Sequence, residues 1–190
     1  IALTALGIDN AGMVINRYCG SGVEAIHLAS AKIQAGMADC IIAGGAESMS
    51  LVPVMGWKTA LNYRIAKEHP DYYTSMGLTA EQIAKQYKVS REDQDKFAFD
   101  SHMKAIEAQK AGKFKGEIHP ISTEEVYVDE NGKKKSRSMI VDTDEGPRPE
   151  TSMDALAKLK PVFAVGGSVT AGNSSPTNDG AAFAVVMSEK

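Results

Sequence analysis

The stretch that decides the fold begins at residues 16–22, which read NRYCGSG. Residues 23–35 follow and are apolar or small on nearly every face of a helix, a pattern typical of a helix buried within a domain. Gly36 is the expected end of that helix, because glycine often terminates helices. The glycines on both sides of Ser21 predict a close-packed turn that leads from Cys19 into the helix.

Three short apolar runs predict strands around this helix. Residues 13–15 precede it, residues 40–43 (CIIA) follow it, and residues 180–187 lie near the end of the sequence. The run at 40–43 is apolar throughout, which favours a strand covered on both faces. An order of strand, helix and strand predicts α/β organisation.

Residues 54–162 differ from the rest of the chain, because they are polar and amphipathic. We expect them to form an inserted α+β subdomain, with residues 1–53 and 163–190 as two parts of one core.

Local signals within the insertion predict two helices and a hairpin. Thr79 is a candidate N-cap for a helix that ends near Tyr87. Ser90, with an acidic residue three positions later, opens a longer helix that ends near Gly112. The dipeptide Asn131-Gly132 lies between two apolar runs and predicts a hairpin turn.

The composition excludes several classes of protein. The chain has 190 residues, of which 43% are hydrophobic and 24% charged, so it can form a globular core. The formal net charge of −3 argues against a general nucleic-acid binder. No apolar run approaches the roughly 18 residues of a membrane span. Cys19 and Cys40 form neither a CxxC pair nor part of a zinc-spaced cluster, so we expect free thiols and no metal site.

The sequence opens with Ile1, which is neither an initiator Met nor part of the charged start of a signal peptide. We therefore expect a piece of a longer polypeptide. The expected location is the cytoplasm, or the mitochondrion or peroxisome if the source is eukaryotic.

Cys19 is the candidate nucleophile, because it stands where the predicted helix begins. A helix N-terminus offers unpaired backbone N–H groups and a partial positive charge, and both stabilise a thiolate. The small neighbouring residues let a substrate carbonyl approach backbone N–H groups that can stabilise an oxyanion. The spacing alone fits a structural cysteine in a glycine-rich turn equally well.

Several separated motifs resemble the thiolase family. They are NRYCGSG at 16–22, AGGAESMS at 43–50, GSVTAGNSS at 167–175 and NDGAA at 178–182, with TAE at 79–81 and SREDQD at 90–95 in the insertion. The resemblance covers essentially the whole chain. It implies a layered α/β fold, with helices around a mixed five-stranded sheet and an inserted α+β loop domain that binds coenzyme A (CoA).

The resemblance also implies an acyltransferase reaction. In thiolases the cysteine that matches Cys19 attacks the keto carbonyl of a 3-ketoacyl-CoA, acetyl-CoA leaves, and the acyl group on sulfur passes to a second CoA. CoA is then a substrate, and no cofactor is bound permanently. Thiolases are usually dimers or tetramers, so the resemblance implies a homodimer or homotetramer.

Five further positions are implied to bind CoA. Arg148 matches a residue near the nucleotide end of CoA. Ala155 and Phe163 match positions that line its groove. Ala171 and Ser175 match positions that face the pantetheine arm.

Met76 matches a position beside the reacting acyl group, and the residue before it bears on the choice of substrate. Short-chain biosynthetic thiolases often have His there, whereas this chain has Ser75. With YYTSMG at 72–77 and DEGPR at 144–148, this favours a degradative 3-ketoacyl-CoA thiolase of fatty acid β-oxidation. A biosynthetic acetyl-CoA acetyltransferase, which condenses two acetyl-CoA, is the alternative.

Thiolases activate the nucleophile with a His and use a second Cys as acid and base, both on a carboxyl-terminal half that these residues do not include. His27 is eight residues beyond Cys19, about 12 Å along a helix, and is too far away to replace the missing base. We expect it to pack within the helix and Cys40 to be inert core. The remaining histidines are expected in solvated positions: His69, His102 and His119.

We therefore expect residues 1–190 alone not to turn over. Steady thiolysis of acetoacetyl-CoA by that stretch in isolation would contradict this expectation.

Two other classes of protein remain open. A non-catalytic CoA-binding or acyl-CoA-binding protein could keep the same scaffold, although retention of Cys19 within its full motif favours an enzyme. A ketoacyl synthase also uses a nucleophilic cysteine, but the long insertion and the sequence NRYCGSG at residues 16–22 argue against this class.

Overall fold

The structure is a computed structural model that describes residues 2–54 and 56–189, with residues 2 and 3 described by their backbone alone. The helices of these residues are α1 Ser21–Gln34, α2 Tyr63–Glu68, α3 Met76–Tyr87, α4 Arg91–Lys110 and α5 Met153–Ala157. The strands are β1 Cys40–Ser48, β2 Ile121–Val128, β3 Lys134–Val141 and β4 Asp179–Met187. A π-helical turn at Ala2–Leu6 and a 3-10 turn at Pro70–Tyr73 complete the regular structure of these ranges.

The chain divides into two compact units. The first comprises Ile1–Ala60 with Thr177–Lys190, and the second comprises Leu61–Pro176. The second unit runs beyond the predicted limit of 162, because residues 168–174 hydrogen-bond to side chains of α3 and α4. The role of residues 54–162 as a CoA-binding domain stays a prediction.

An antiparallel strand pair forms the centre of the first unit. β1 and β4 run side by side, with Cys40 opposite Met187 and Ser48 opposite Asp179. α1 packs against both strands. The predicted helix after Cys19 and the predicted strand near residues 180–187 are therefore confirmed.

Burial in the first unit follows one face of the sheet, so the prediction that the run at 40–43 is covered on both faces is wrong. Ile41 and Ala43 are covered, whereas Cys40 and Ile42 are exposed, which is the alternation of a strand packed on one side. Cys40 is thus not core. The prediction that α1 is wholly buried is also wrong, because Ala29 is its buried residue.

The predicted strand at residues 13–15 is also wrong. This segment has no partner strand among the described residues, and Val14 is 97% exposed. A strand needs a neighbour to pair its backbone groups, and sequence does not show whether one is present. The sheet of the first unit therefore has two strands in the described part of the chain, where the resemblance implies five.

Capping residues set the helices of the second unit. Ser90 precedes α4, and its side-chain oxygen accepts from the Asp93 N–H at 3.0 Å, as predicted. The N-cap of α3 is Ser75 and not Thr79, because the Ser75 Oγ accepts from the Leu78 N–H at 3.4 Å. Thr79 lies one turn inside the helix, where its hydroxyl donates to the Ser75 carbonyl oxygen.

The predicted hairpin is confirmed as β2 and β3, which pair antiparallel with Ile121 opposite Val141. Gly132 has a φ of +73°, which explains the glycine at this turn.

The second unit has its own buried centre. Among the described residues, Ile106, Leu156 and Val169 are its buried apolar side chains, and Asp95 and Thr170 are buried polar ones. None of the described helices has the length and apolar character needed to cross a membrane.

Candidate functional site

Cys19 lies in a turn that leads into α1. The N–H of Gly20 donates to the Arg17 carbonyl, and that of Ser21 to the Tyr18 carbonyl, both at 3.0 Å. The Arg17 N–H donates to Ser21 Oγ at 2.8 Å, and that hydroxyl donates to the Tyr18 carbonyl at 2.7 Å. Tyr18 has a backbone φ of 49°, a value that residues other than glycine rarely adopt. The hydrogen bonds therefore hold the turn in one unusual conformation.

Backbone N–H groups are free at the start of α1. The first helical hydrogen bond runs from the Glu24 N–H to the Gly20 carbonyl at 3.0 Å. The N–H groups of Gly22 and Val23 have no acceptor among the described residues. Cys19 is exposed just ahead of them. The arrangement places a reachable thiol where a helix favours negative charge.

Neither His27 nor Cys40 is a partner for Cys19 within the described residues. Within the described residues of the first unit, no side chain hydrogen-bonds to the Cys19 sulfur. His27 is exposed on α1 and is not packed as predicted. Cys40 is exposed at the start of β1.

Two of the quoted motifs meet at the end of the β1–β4 pair. The Ser50 N–H donates to Asp179 Oδ1 at 2.8 Å, and the Ser50 hydroxyl donates to Asp179 Oδ2. The Ser50 hydroxyl and then its amide hold the pKa of Asp179 below its ordinary value. This carboxylate therefore joins the segment after β1 to the start of β4.

Glu81 on α3 holds the Gly/Ser-rich loop of the second unit. Its carboxylate accepts the N–H of Ser168 at 3.0 Å and that of Val169 at 2.9 Å. Partial burial works to raise the pKa of Glu81, but these amides and the Ser168 hydroxyl outweigh it and keep the pKa low. A side chain on Gly167 would overlap this carboxylate, which explains the glycine.

Asp95 on α4 joins the same loop to the end of α5. Its Oδ1 accepts from Asn173 Nδ2 at 2.9 Å, and its Oδ2 accepts from Arg91 Nε at 2.7 Å. Arg91 Nη2 also donates to the carbonyl oxygens of Leu156 at 2.5 Å and Leu159 at 3.1 Å.

Met76 and Phe163 both lie near the start of α3 in the second unit. Met76 is the first residue of α3 and is 76% exposed. The Phe163 ring lies against Gly77 so closely that a Cβ there would overlap it. The Val162 N–H donates to the Val169 carbonyl at 3.1 Å, which ties this segment to the loop of Glu81. Phe163, which matches a position of the CoA groove, therefore lies against the residue that follows Met76.

Arg148 is anchored to α4 by its backbone. Its N–H donates to His102 Nδ1 at 3.1 Å, and its side chain is exposed. His102 is half-buried and accepts this hydrogen bond, so it is less solvated than His69 and His119. His69 stacks on Tyr72 with ring centroids 5.3 Å apart, and both His69 and His119 are exposed.

The three small predicted CoA positions are exposed. Ala155 lies on α5, and its N–H donates to the N-cap Ser152 at 3.2 Å. Ala171 and Ser175 lie on the loop that Glu81 and Asp95 hold. No cluster of three or more His, Cys, Asp or Glu suited to a metal ion occurs within residues 2–54 and 56–189.

Sequence reasoning missed the roles of Glu81, Arg91, Asp95 and Asn173, although each lies within a quoted motif. The Arg91–Asp95 pair has the i,i+4 spacing of ion pairs on a helix. The partners of Glu81 and Asn173 are 87 and 78 positions away, so no spacing rule connects them. The signal that was available is that Glu81 and Asp95 are acidic residues within motifs that match the family.

Replacing Glu81 with Gln is expected to destabilise the protein at neutral pH and not in acid. A lowered folded-state pKa means that the contribution of Glu81 is present above its ordinary pKa, about 4.5, and is lost as pH falls through the folded value. Urea unfolding of wild type and variant at pH 7 and at lower pH measures this. The exposed Glu107→Gln is the control, and an equal difference at every pH would contradict the prediction.

Comparison with known proteins identifies the family of this chain. The family described as "Thiolase, N-terminal domain" matches residues 2–190. The 3-ketoacyl-CoA thiolase of Bacillus subtilis (strain 168) is 50% identical over 186 residues, which is 98% of this chain and 48% of that protein. An acetyl-CoA acetyltransferase of Pseudomonas aeruginosa is 44% identical over 190 residues, covering 93% of this chain and 46% of that protein.

The fold also matches that of a solved structure. The 1.8 Å crystal structure of the dimeric peroxisomal thiolase of Saccharomyces cerevisiae superposes with a TM-score of 0.77 at 34% identity. The match covers 91% of this chain and 42% of that one. The predicted thiolase-like α/β fold is therefore confirmed. The chain spans about half the length of the curated relatives it matches, and it belongs to the thiolase family.

Proposed function

We propose that this chain is the amino-terminal catalytic half of a thiolase that cleaves 3-ketoacyl-CoA with CoA, with Cys19 carrying the acyl group. The observation that supports the proposal most strongly is the exposed Cys19 in a hydrogen-bonded turn, ahead of the free N–H groups of Gly22 and Val23. A thiolate is the nucleophilic form of cysteine, and a helix N-terminus stabilises it.

The reaction follows from a thiolate in this position. The Cys19 sulfur attacks the keto carbonyl, and backbone N–H groups receive the negative charge on its oxygen. Collapse of this intermediate breaks the carbon–carbon bond, and the electron pair leaves on the acetyl-CoA fragment, which takes up a proton. Cys19 is left as a thioester. The thiol of a second CoA then loses its proton, attacks that thioester and restores the thiolate. The acid and base for these proton transfers are expected on the carboxyl-terminal half typical of the family.

The second unit suits a long substrate with a charged end. Arg148 is held to α4 through His102, whereas the loop with Ala171 and Ser175 is held to α4 through Asp95. His102 and Asp95 are seven residues apart, about 10 Å along the helix. This spacing supports an extended CoA, with its phosphates near Arg148 and its pantetheine arm near the loop.

The direction of the reaction is proposed as degradative. Ser75 at the start of α3, in place of the His of many biosynthetic thiolases, supports this choice. A relative named 3-ketoacyl-CoA thiolase supports it as well. A relative named acetyl-CoA acetyltransferase keeps the biosynthetic alternative in view.

Assays of the full-length polypeptide test the proposal. With CoA and a series of 3-ketoacyl-CoA substrates, we expect acetyl-CoA and the shortened acyl-CoA to be released in equal amounts. Substrates longer than acetoacetyl-CoA are expected to have the higher kcat/KM. A preference for acetoacetyl-CoA alone, with condensation of acetyl-CoA, would support the biosynthetic reaction instead. A protein that binds CoA without any turnover would be the non-catalytic scaffold.

Self-association is proposed as well, because the matching yeast structure is of a dimeric thiolase. The compartment is proposed as cytoplasmic, or mitochondrial or peroxisomal in a eukaryote. Light scattering of the full-length polypeptide tests the first, and a mass of one polypeptide would contradict it.

A further inference from the structure

Asp95 is a buried carboxylate that the proposed chemistry does not use. It is 2% exposed and lies one turn inside α4. Its two oxygens accept from Asn173 Nδ2 and from Arg91 Nε. A buried carboxylate is costly unless it is paired and hydrogen-bonded, and here both oxygens have partners.

The contact with Asn173 controls the shape of a loop. A carboxylate only accepts hydrogen bonds, so the amide nitrogen of Asn173 must face Asp95 and the amide oxygen must face away. That oxygen accepts the Thr170 N–H at 2.7 Å, while the amide nitrogen also donates to the Ser168 carbonyl at 3.1 Å. Ser174 Oγ donates to the Thr170 carbonyl at 2.6 Å. Residues 168–174 are thus wrapped around one oriented side-chain amide.

The contact with Arg91 controls a second segment. The guanidinium reaches the carbonyls of Leu156 and Leu159, at the end of α5 and just beyond it. Asp95 fixes the orientation of that guanidinium by accepting from its Nε. One carboxylate therefore orients the two groups that hold the loop with Ala171 and the helix with Ala155.

We infer that Asp95 is a positioning residue for CoA, setting the places of the Ala171–Ser175 loop and of Ala155 without touching the substrate. The inference rests on the proposed function, because it takes these positions as the CoA groove. Well-packed apolar residues of similar volume often stabilise a protein as well as a buried ion pair does, so a charged pair at this place is consistent with a role beyond stability.

Asp95→Asn in the full-length polypeptide tests the inference. Both Asp95 oxygens accept hydrogen bonds, whereas an Asn amide has one acceptor oxygen and a nitrogen that only donates, so either Arg91 or Asn173 loses its partner. The dissociation constant for CoA, measured by calorimetry, is expected to rise about ten-fold, because displacement of binding groups by about 1 Å has large effects. The KM for CoA should rise in parallel, while kcat at saturating CoA and the rate of Cys19 alkylation by iodoacetamide stay within about two-fold.

Two further variants complete the test. Asp100→Asn on the same helix breaks the exposed ion pair with Lys96 and is expected to leave CoA binding unchanged. Arg91→Lys keeps a charge beside Asp95 but loses the planar fork that reaches the carbonyls, so a rise of about three-fold in the dissociation constant is expected. It remains informative if Asp95→Asn does not fold.

The outcomes are separable. Unchanged CoA affinity in both Asp95→Asn and Arg91→Lys would overturn the inference. Equal losses of CoA affinity and of Cys19 alkylation would also overturn it, because they would indicate a general effect on folding. Wild-type protein that binds CoA without turnover would refute the proposed reaction and leave the positioning role standing on its affinity data. Wild-type protein that binds no CoA would overturn both.

Discussion

Replacement of Cys19 with Ala is expected to lower thiolysis by the full-length polypeptide by about 10⁴-fold or more, because it removes the atom that carries the acyl group. CoA affinity should change little, since the positions proposed to bind CoA lie in the second unit. Steady-state release of acetyl-CoA and calorimetry with CoA measure the two effects. Loss of activity with intact CoA binding distinguishes lost chemistry from lost folding.

Cys40→Ala is the matched control for this prediction. Cys40 is the other cysteine of the sequence and is also exposed, at the start of β1. Its replacement is expected to change kcat by less than about two-fold, as for most surface substitutions. Residual thiolysis in Cys19→Ala close to that of wild type, or a comparable loss in Cys40→Ala, would contradict the role given to Cys19.

Replacement of Gly44 with Ala is expected to lower the free energy of unfolding by about 1–3 kcal/mol. Gly44 lies in β1 opposite Phe183 of β4. A Cβ at this position would overlap the Ala182 carbonyl oxygen and the Phe183 side chain and Cα. Most of these atoms belong to the backbone, so the strands would have to separate. Urea unfolding of the full-length polypeptide measures the loss.

Gly45→Ala is the control in the same strand. A Cβ on Gly45 meets nothing within 4 Å. This replacement is expected to be neutral or to stabilise by up to about 1 kcal/mol, because alanine reduces the freedom of the unfolded chain. Equal effects of the two replacements would show that the close approach of β1 and β4 at Gly44 is not as described.

Local signals in the sequence predicted local structure well. The Ser90 capping box gave the start of α4, and Asn131-Gly132 gave the β2–β3 hairpin, because each depends on residues only a few positions apart. The predicted start of α3 was wrong by one turn, because Ser75 and Thr79 both carry a hydroxyl suited to an N-cap. A pattern of residue types cannot distinguish two such candidates four positions apart.

Burial and long-range pairing were not predictable in the same way. The run at 40–43 is apolar at every position, yet Cys40 and Ile42 are exposed, because burial depends on what covers each face. The contacts of Glu81 with Ser168 and of Asp95 with Asn173 join positions far apart in sequence. The candidate nucleophile was found from its motif, whereas the network that holds the loop of residues 168–174 depends on the three-dimensional fold.

Acetylation of Cys19 is the most direct test of its proposed role. The full-length polypeptide is incubated with acetyl-CoA labelled in the acetyl group, quenched in acid and digested, and the labelled peptide is identified by mass spectrometry. We predict a stoichiometric acetyl group on Cys19 and none on Cys40, removed by excess CoA with return of acetyl-CoA. An unlabelled Cys19 in protein that binds CoA would contradict the proposed acyl-enzyme.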